Sequence, residues 1–226
     1  MSNKALAIYL DGPMQSWGVA SRFQHRETEN MPTKSGVLGM LAAAMGIDKY
    51  ADDEAERLKP LTELQFSVFR AFRIDQQRPV QRLSDFHTVG GGYEKTDHRG
   101  RLSIPHKASG GPFGTVITHR TYLTDARFIA VLEGAEATLS QCAEALSNPR
   151  WGIWFGRKTC LPAAPLSPTI ADGREQALTV LAKKSGVEWG EGQTQPKSLH
   201  ADAWFLPDSP ASYGTREFNS RPVQRS

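Results

Sequence analysis

"TKSGVLGMLAAAMG", residues 33 to 46, decides how this chain folds. Thr33 has the side-chain oxygen an N-cap needs, Gly46 suits a C-terminal cap, and between them Val37, Leu38, Leu41, Ala42 and Met45 leave the helix apolar nearly all round. Such a helix is buried on most sides, so the segments flanking it must cover it. Before it, "ALAIYL" (5–10) reads as a short buried strand. After it, "DDEAERLK" (52–59) reads as a short acidic turn of helix ended by Pro60, and "ELQFSVFRAFRI" (63–74) alternates. Phe66, Val68, Phe72 and Ile74 fall on one side of it and Gln65, Ser67 and Arg73 on the other, the pattern of a half-buried strand.

From Gln76 to Thr115 the pattern dissolves into "VGGGY", "HRG" and "SGGPFG", with scattered bases and few apolar residues. A loop this long within a compact domain is usually functional or disordered. "ITHRTYLTDARFIAVLEG" (117–134) restores strand character. "AEATLSQCAEALSNP" (135–149) then puts Ala135, Leu139, Cys142, Ala143 and Leu146 on one helical face before an Asn148-Pro149 stop. With "IWF" (153–155) as a fourth strand, the order is β-α-β-β-α-β with an insertion between the second and third strands. This is an α+β, ferredoxin-like unit. The expected division is a domain over 1–166 and a small C-terminal domain over 167–226, the latter containing the helical "REQALTVLAKK" and the strand-like "ADAWFL".

Two cysteines in 226 residues, Cys142 and Cys160, match no disulfide framework or zinc pattern. The expected compartment is the reducing cytoplasm. No stretch approaches 18 apolar residues, and "MSNKALAIYLDGP" has too short an apolar run for a secretory signal. The net charge of +3 permits a polyanionic partner without demanding one. Its distribution is more telling: residues 76–127 hold eight bases against four carboxylates, and four of the six histidines.

"NMPTKSG" lacks the glycines of a nucleotide-binding loop, but Lys34, the Ser35 hydroxyl and the free amides of a helix start suit a single phosphate. An ordinary capped helix is the competing reading. In "FGRKTC" (155–160), Arg157 and Lys158 in a glycine turn can lie along a phosphate backbone, or be merely a solvated turn. His87, His98, His106 and His119 raise the possibility of metal-free ribonuclease chemistry, yet none are helical i, i+4 partners, and no metal-binding pattern appears. "DGPMQSWG" (11–18) places a tryptophan in a turn, where small or polar residues are usual.

Five segments, "DGPMQSWG", "PTKSGVLGMLAAAMGI", "RLSDFHTVGGG", "HRTYLTDARF" and "FGRKTCLPAAPL", together resemble the CasD family of the type I-E CRISPR Cascade surveillance complex. The resemblance runs from residue 8 to about residue 166. It implies an RRM-related ferredoxin-like domain with a long β-hairpin thumb, here about 76–118. It also implies a non-catalytic subunit that caps the 5′ handle of CRISPR RNA beside the backbone subunit and the large PAM-reading subunit, and meets target DNA only within the complex. The expected RNA-binding residues are Met14, Gln15, Ser16, Trp17, Arg22, Lys34, Ser35, Arg82, His87, Arg99, Arg101, Lys107, His119, Arg120, Arg157 and Lys158, with no cofactor and no metal. Trp17 is expected to be partly buried, with Met14, Gln15 and Ser16 nearer the RNA. No RNP1 pattern is present, so bases are not expected to stack on the sheet face. The competing functions are an endoribonuclease using His87, His119, Tyr122 and Lys34, and a generic protein-interaction module.

Overall fold

The computed structural model describes residues 4–19, 24–73, 75, 80–90, 107, 109, 114–196 and 202–226. Its elements in chain order are β1 (Lys4–Asp11), β2 (Met14–Gln15), β3 (His25–Arg26), α1 (Lys34–Met45), α2 (Glu54–Thr62), β4 (Gln65–Phe72), β5 (Gln81–Gly90), β6 (Thr115–Thr124), β7 (Arg127–Gly134), α3 (Glu136–Ser147), β8 (Thr169–Asp172), α4 (Arg174–Ser185), β9 (Glu188–Thr194), β10 (Trp204–Ser212) and β11 (Glu217–Arg225).

Among the described residues, seven strands form one sheet in the order β10-β11-β9-β4-β7-β1-β8, with antiparallel neighbours throughout. The opening helix is as expected: the Thr33 hydroxyl accepts from the Gly36 amide, and Gly46 caps the C-terminus at φ +68°. Alternation along the strands sends Leu6, Ile8, Leu10, Phe66, Val68, Phe128, Ala130 and Leu132 to a core shared with α1, α2 and α3. The residues between them, Ala5, Ala7, Tyr9, Phe69, Ala71, Ile129 and Val131, pack on Ala177, Leu178, Leu181 and Ala182 of α4. Burial on both faces explains the unbroken apolar run of β1. It also corrects the half-buried reading of β4, whose Ser67, Phe69 and Ala71 lie under α4.

Three boundaries differ from the sequence reading. The fourth strand beside β1 is Thr169–Asp172, while residues 153–155 are irregular, with Phe155 plugged fully into the core. α2 continues through Pro60, and Leu61 beyond it is buried. The chain from 117 to 134 is two strands, broken at Asp125, which adopts φ +52°. This break lets β6 leave the main sheet and pair with β5, β2 and β3 as a separate ribbon. The C-terminal strands extend the main sheet, since β9 pairs with β4 and β11 with β9. Among the described residues, no helix is long and apolar enough to cross a membrane.

Candidate nucleic-acid interface

The loop after β1 is held from inside. Trp17 is 1% exposed, and the helix accepts its ring at Gly36, where an added Cβ would stand 2.6 Å from an indole carbon. The indole N–H donates to the Gln15 side-chain oxygen at 3.0 Å. The Gln15 amide donates in turn to the carbonyls of Leu10 and Ala126, at 3.1 and 2.7 Å. Gln15 is fully buried and Ser16 nearly so, and Trp17 is buried rather than partly so; Met14 alone of residues 14–17 is half-exposed. The residues expected nearer a ligand thus include the bracket that fixes the loop, because a buried indole N–H requires an acceptor.

The helix start is likewise occupied by the protein itself. The Lys34 amide donates to Asp208 Oδ2 at 2.8 Å, so a carboxylate from β10 takes the place proposed for a phosphate. Asp208 is fully buried and accepts two hydrogen bonds from Arg221, at 2.7 and 3.0 Å. The Lys34 ammonium turns inward to the carbonyls of Thr62 and Leu64, at 2.7 and 2.8 Å. Burial and the Arg221 guanidinium push it down to about 8, against the opposing pull of Asp208. Ser35 is half-buried and its carbonyl accepts from the Tyr213 hydroxyl.

The 155–160 turn does lie beside the 14–17 loop, where the Ser16 amide donates to the Phe155 carbonyl at 3.1 Å. Gly156 sits at φ +86°, and a Cβ there would fall 1.8 Å from the Ser16 carbonyl oxygen, so only glycine fits. Arg157 donates to the carbonyls of Thr121 and Arg26, at 3.1 and 2.6 Å, and lies 4.7 Å over the Tyr122 ring. It clamps β3 and β6 to the turn. Lys158 is exposed, 5.5 Å over the Trp154 ring.

β5 and β6 pair antiparallel from Gln81↔Thr124 to Gly90↔Thr115, with β3 parallel to β6 on its other side. Successive positions face opposite sides of a strand. Asp85, His87, Arg120 and Thr118 therefore share one face with Tyr122, while Phe86 and His119 share the other. His87 Nδ1 lies 3.5 Å from Asp85, and His119 stacks on His25 with ring centroids 5.3 Å apart. The four residues suspected of ribonuclease chemistry are thus not brought together: His87 and His119 are on opposite faces, and Tyr122 and Lys34 are buried. Arg82 is held by Asn30 at 2.7 Å, and Arg120 Nε donates to Thr118 at 3.0 Å. Lys107 is exposed; Arg22, Arg99 and Arg101 lie outside the described residues.

Between these parts lies a cleft of about 730 Å³. It is lined by Ser16, Trp17, the N-cap Thr33 and residues Ser35, Gly36 and Gly39 of α1, and by Arg26, Trp154, Arg157 and Lys158. Residues that sequence reasoning did not single out complete it: Lys49, Tyr50, Trp151, Tyr213, Arg216 and Phe218. The aromatic residues Tyr50, Trp151 and Tyr213 gave a signal by falling in irregular segments, whereas Lys49, Arg216 and Phe218 gave none, since the fold alone brings them together. In the β3–β6 pairing Arg26 stands opposite Arg120, so bases follow one another from the ribbon, through Arg157, into the cleft.

The family profile described as CRISPR-associated protein (Cas_Cas5) matches residues 5–224. The chain belongs to the Cas5 family. It is 36% identical over 167 residues to the CRISPR system Cascade subunit CasD of Escherichia coli (strain K12), a match spanning 71% of this chain and 68% of that protein. The CasD resemblance read from the five segments is therefore borne out. This Cas5 chain also superposes on a chain of a solved CRISPR RNA-guided surveillance complex with a TM-score of 0.70 and 28% identity, covering 98% of this chain and 89% of that one. A crystal structure of a Cas protein gives a TM-score of 0.60 at 29% identity, with 98% and 93% covered.

Proposed function

We propose that this Cas5-family chain is a non-catalytic, RNA-binding subunit of a type I-E surveillance complex, and that it binds and caps the 5′ handle of CRISPR RNA in support of RNA-guided DNA recognition. The observation that carries this reading is the run of cations from Arg120 and Arg26 through Arg157 to Lys158, leading into a cleft that also exposes Trp151 and Trp154. Neighbouring cations along a groove can track a phosphate backbone, and aromatic rings among them accept bases without demanding sequence. The β4-β7-β1-β8 block, with α1 and α3 on one face, supports a ferredoxin-like reading, and the β5–β6 ribbon supports that of a thumb. The separation of His87 from His119 disfavours cleavage, which needs acid and base converging on one phosphate.

The test is co-purification of the full chain with its neighbouring subunits, followed by sequencing of the bound RNA and a cleavage gel on repeat RNA. Recovery of one defined 5′ end and an uncut repeat is expected. Single-site cleavage lost in His87→Ala or His119→Ala would replace this reading with the ribonuclease.

A further inference from the structure

We propose that the tip of the β10–β11 hairpin is a second wall of the RNA cleft, where Arg216 meets a phosphate and Phe218 packs on a base. This rests on the RNA-binding reading above and extends it to the C-terminal end of the chain.

The tip is anchored, not draped. Glu54, only 4% exposed, accepts from the Ser212 hydroxyl at 2.5 Å and from the amides of Tyr213 and Gly214 at 2.7 and 3.4 Å. The Tyr213 hydroxyl donates to the Ser35 carbonyl at 2.5 Å, and its ring rests where a Cβ on Gly39 would approach within 3.4 Å. Gly214 is so close to α2's lead-in that a Cβ would stand 2.2 Å from the Lys49 carbonyl oxygen. Beyond this anchor the chain presents Arg216, exposed and held at φ +61°, and Phe218, 40% exposed, and both line the cleft.

Charge calls for a polyanion, and the aromatic surface among the cations favours single-stranded RNA over an acidic protein segment as the occupant. Among the described residues, five cations line the cleft: Arg26, Lys49, Arg157, Lys158 and Arg216. The three carboxylates among the described lining residues already have protein partners. Glu27 accepts from Thr121, Asp48 from the Tyr50 amide, and Glu54 from the turn. Trp151, Trp154 and Phe218 add aromatic surface from two separate segments, which suits bases alternating with phosphates.

The experiment is fluorescence anisotropy on the full chain with a labelled oligoadenylate about ten nucleotides long, across a salt series. Arg216→Gly with Phe218→Ala should weaken binding about tenfold or more and flatten the log–log salt slope by about 0.7, one phosphate's worth. The melt should be unchanged, because glycine relieves the left-handed backbone and Phe218 is exposed. Should the double variant melt early, Arg216→Gly alone is read in its place. Lys158→Ala is the control on the RNA reading. If Lys158→Ala weakens binding and the hairpin variant does not, the second wall is overturned while the RNA reading stands. If neither variant changes binding, or the unaltered chain binds no oligoadenylate, both fall. If the hairpin variant instead loses only an acidic peptide, the cleft belongs to a protein partner and the proposal is overturned.

Discussion

Lys34 stands at the start of α1 with its amide and its ammonium both consumed by the protein, and this has a measurable consequence. Burial and Arg221 bring its folded value to about 8, against an ordinary 10.5. Below pH 8 both states hold the proton, and the fold bears the full cost of a charge in poor surroundings. Between 8 and 10.5 the folded state has released a proton that the unfolded chain keeps, so stability rises with pH through that window. The buried Cys142 thiol, pushed up to about 11, acts in the opposite direction, so the decisive quantity is the difference between wild type and Lys34→Met. That difference should shift by about 2 kcal/mol in favour of wild type from about pH 7.5 to pH 9.5 in denaturant titrations. A constant difference would show that Lys34 keeps an ordinary lysine's affinity for its proton. Arg157 and Lys158 make a second residue-level contrast. Adjacent in sequence, they read as equivalent phosphate contacts, but Arg157 clamps two strands and Lys158 reaches solvent. Lys158→Ala should flatten the salt slope of RNA binding by about 0.7 and leave the melting temperature alone, whereas Arg157→Ala should lower both. Equal melts for the two variants would refute the clamp.

Among the elements, those whose sequence carried its own boundary signals were legible. α1 has a cap at each end and an apolar body, and it forms between the residues that cap it. The strand at 153–155 was misplaced because Ile153, Trp154 and Phe155 are apolar for a different reason: Phe155 plugs a turn into the core, and Trp154 lines the cleft. An apolar triplet cannot distinguish a strand from an anchored loop. β6 and β7 ran together in the sequence because Asp125, a residue that tolerates a left-handed backbone, marks the break with no glycine or proline. Among the described residues, the β5–β6 ribbon keeps its buried apolar residues near its base, at Tyr122 and Leu123, while Phe86, Val116 and Ile117 further out are exposed. Replacing residues 88–114 with a short flexible linker should therefore leave the melt nearly unchanged, since loop closure depends weakly on length. Assembly with the backbone subunit and CRISPR RNA should be lost. Normal assembly would make the outer ribbon dispensable, and a collapsed melt would show that it contributes to the core.

At the scale of the whole molecule, α4 determines where a ligand can go. A four-stranded sheet with two helices on one face has the other face to offer, but here α4 covers it, and Tyr9, Phe69 and Ile129 pack beneath α4 instead of meeting bases. Among the described residues, the ribbon and the cleft beside it are left open to a ligand, which the sequence could indicate only through scattered bases and misplaced aromatics. The C-terminal strands, expected as a small domain of their own, are tied to the rest by sheet pairing and by the Asp208 carboxylate, which bonds both Arg221 and the first amide of α1. Arg221 is 4% exposed and lies 5.1 Å over the Phe66 ring of β4. Asp208→Asn would leave that guanidinium buried without its counter-charge, a change that costs about 3 to 5 kcal/mol. If the chain unfolds as one unit, the whole denaturant transition should move to lower midpoint, followed both by the fluorescence of the five tryptophans and by far-ultraviolet circular dichroism. The positions of those tryptophans make the experiment discriminating, because Trp189 and Trp204 lie in the C-terminal strands and Trp17, Trp151 and Trp154 around the cleft. Within each variant that retains only one of these groups, the tryptophan fluorescence and the circular dichroism should report one common midpoint. An early transition seen only by Trp189 and Trp204 would mean that residues 167–226 unfold separately, as the division into two domains anticipates.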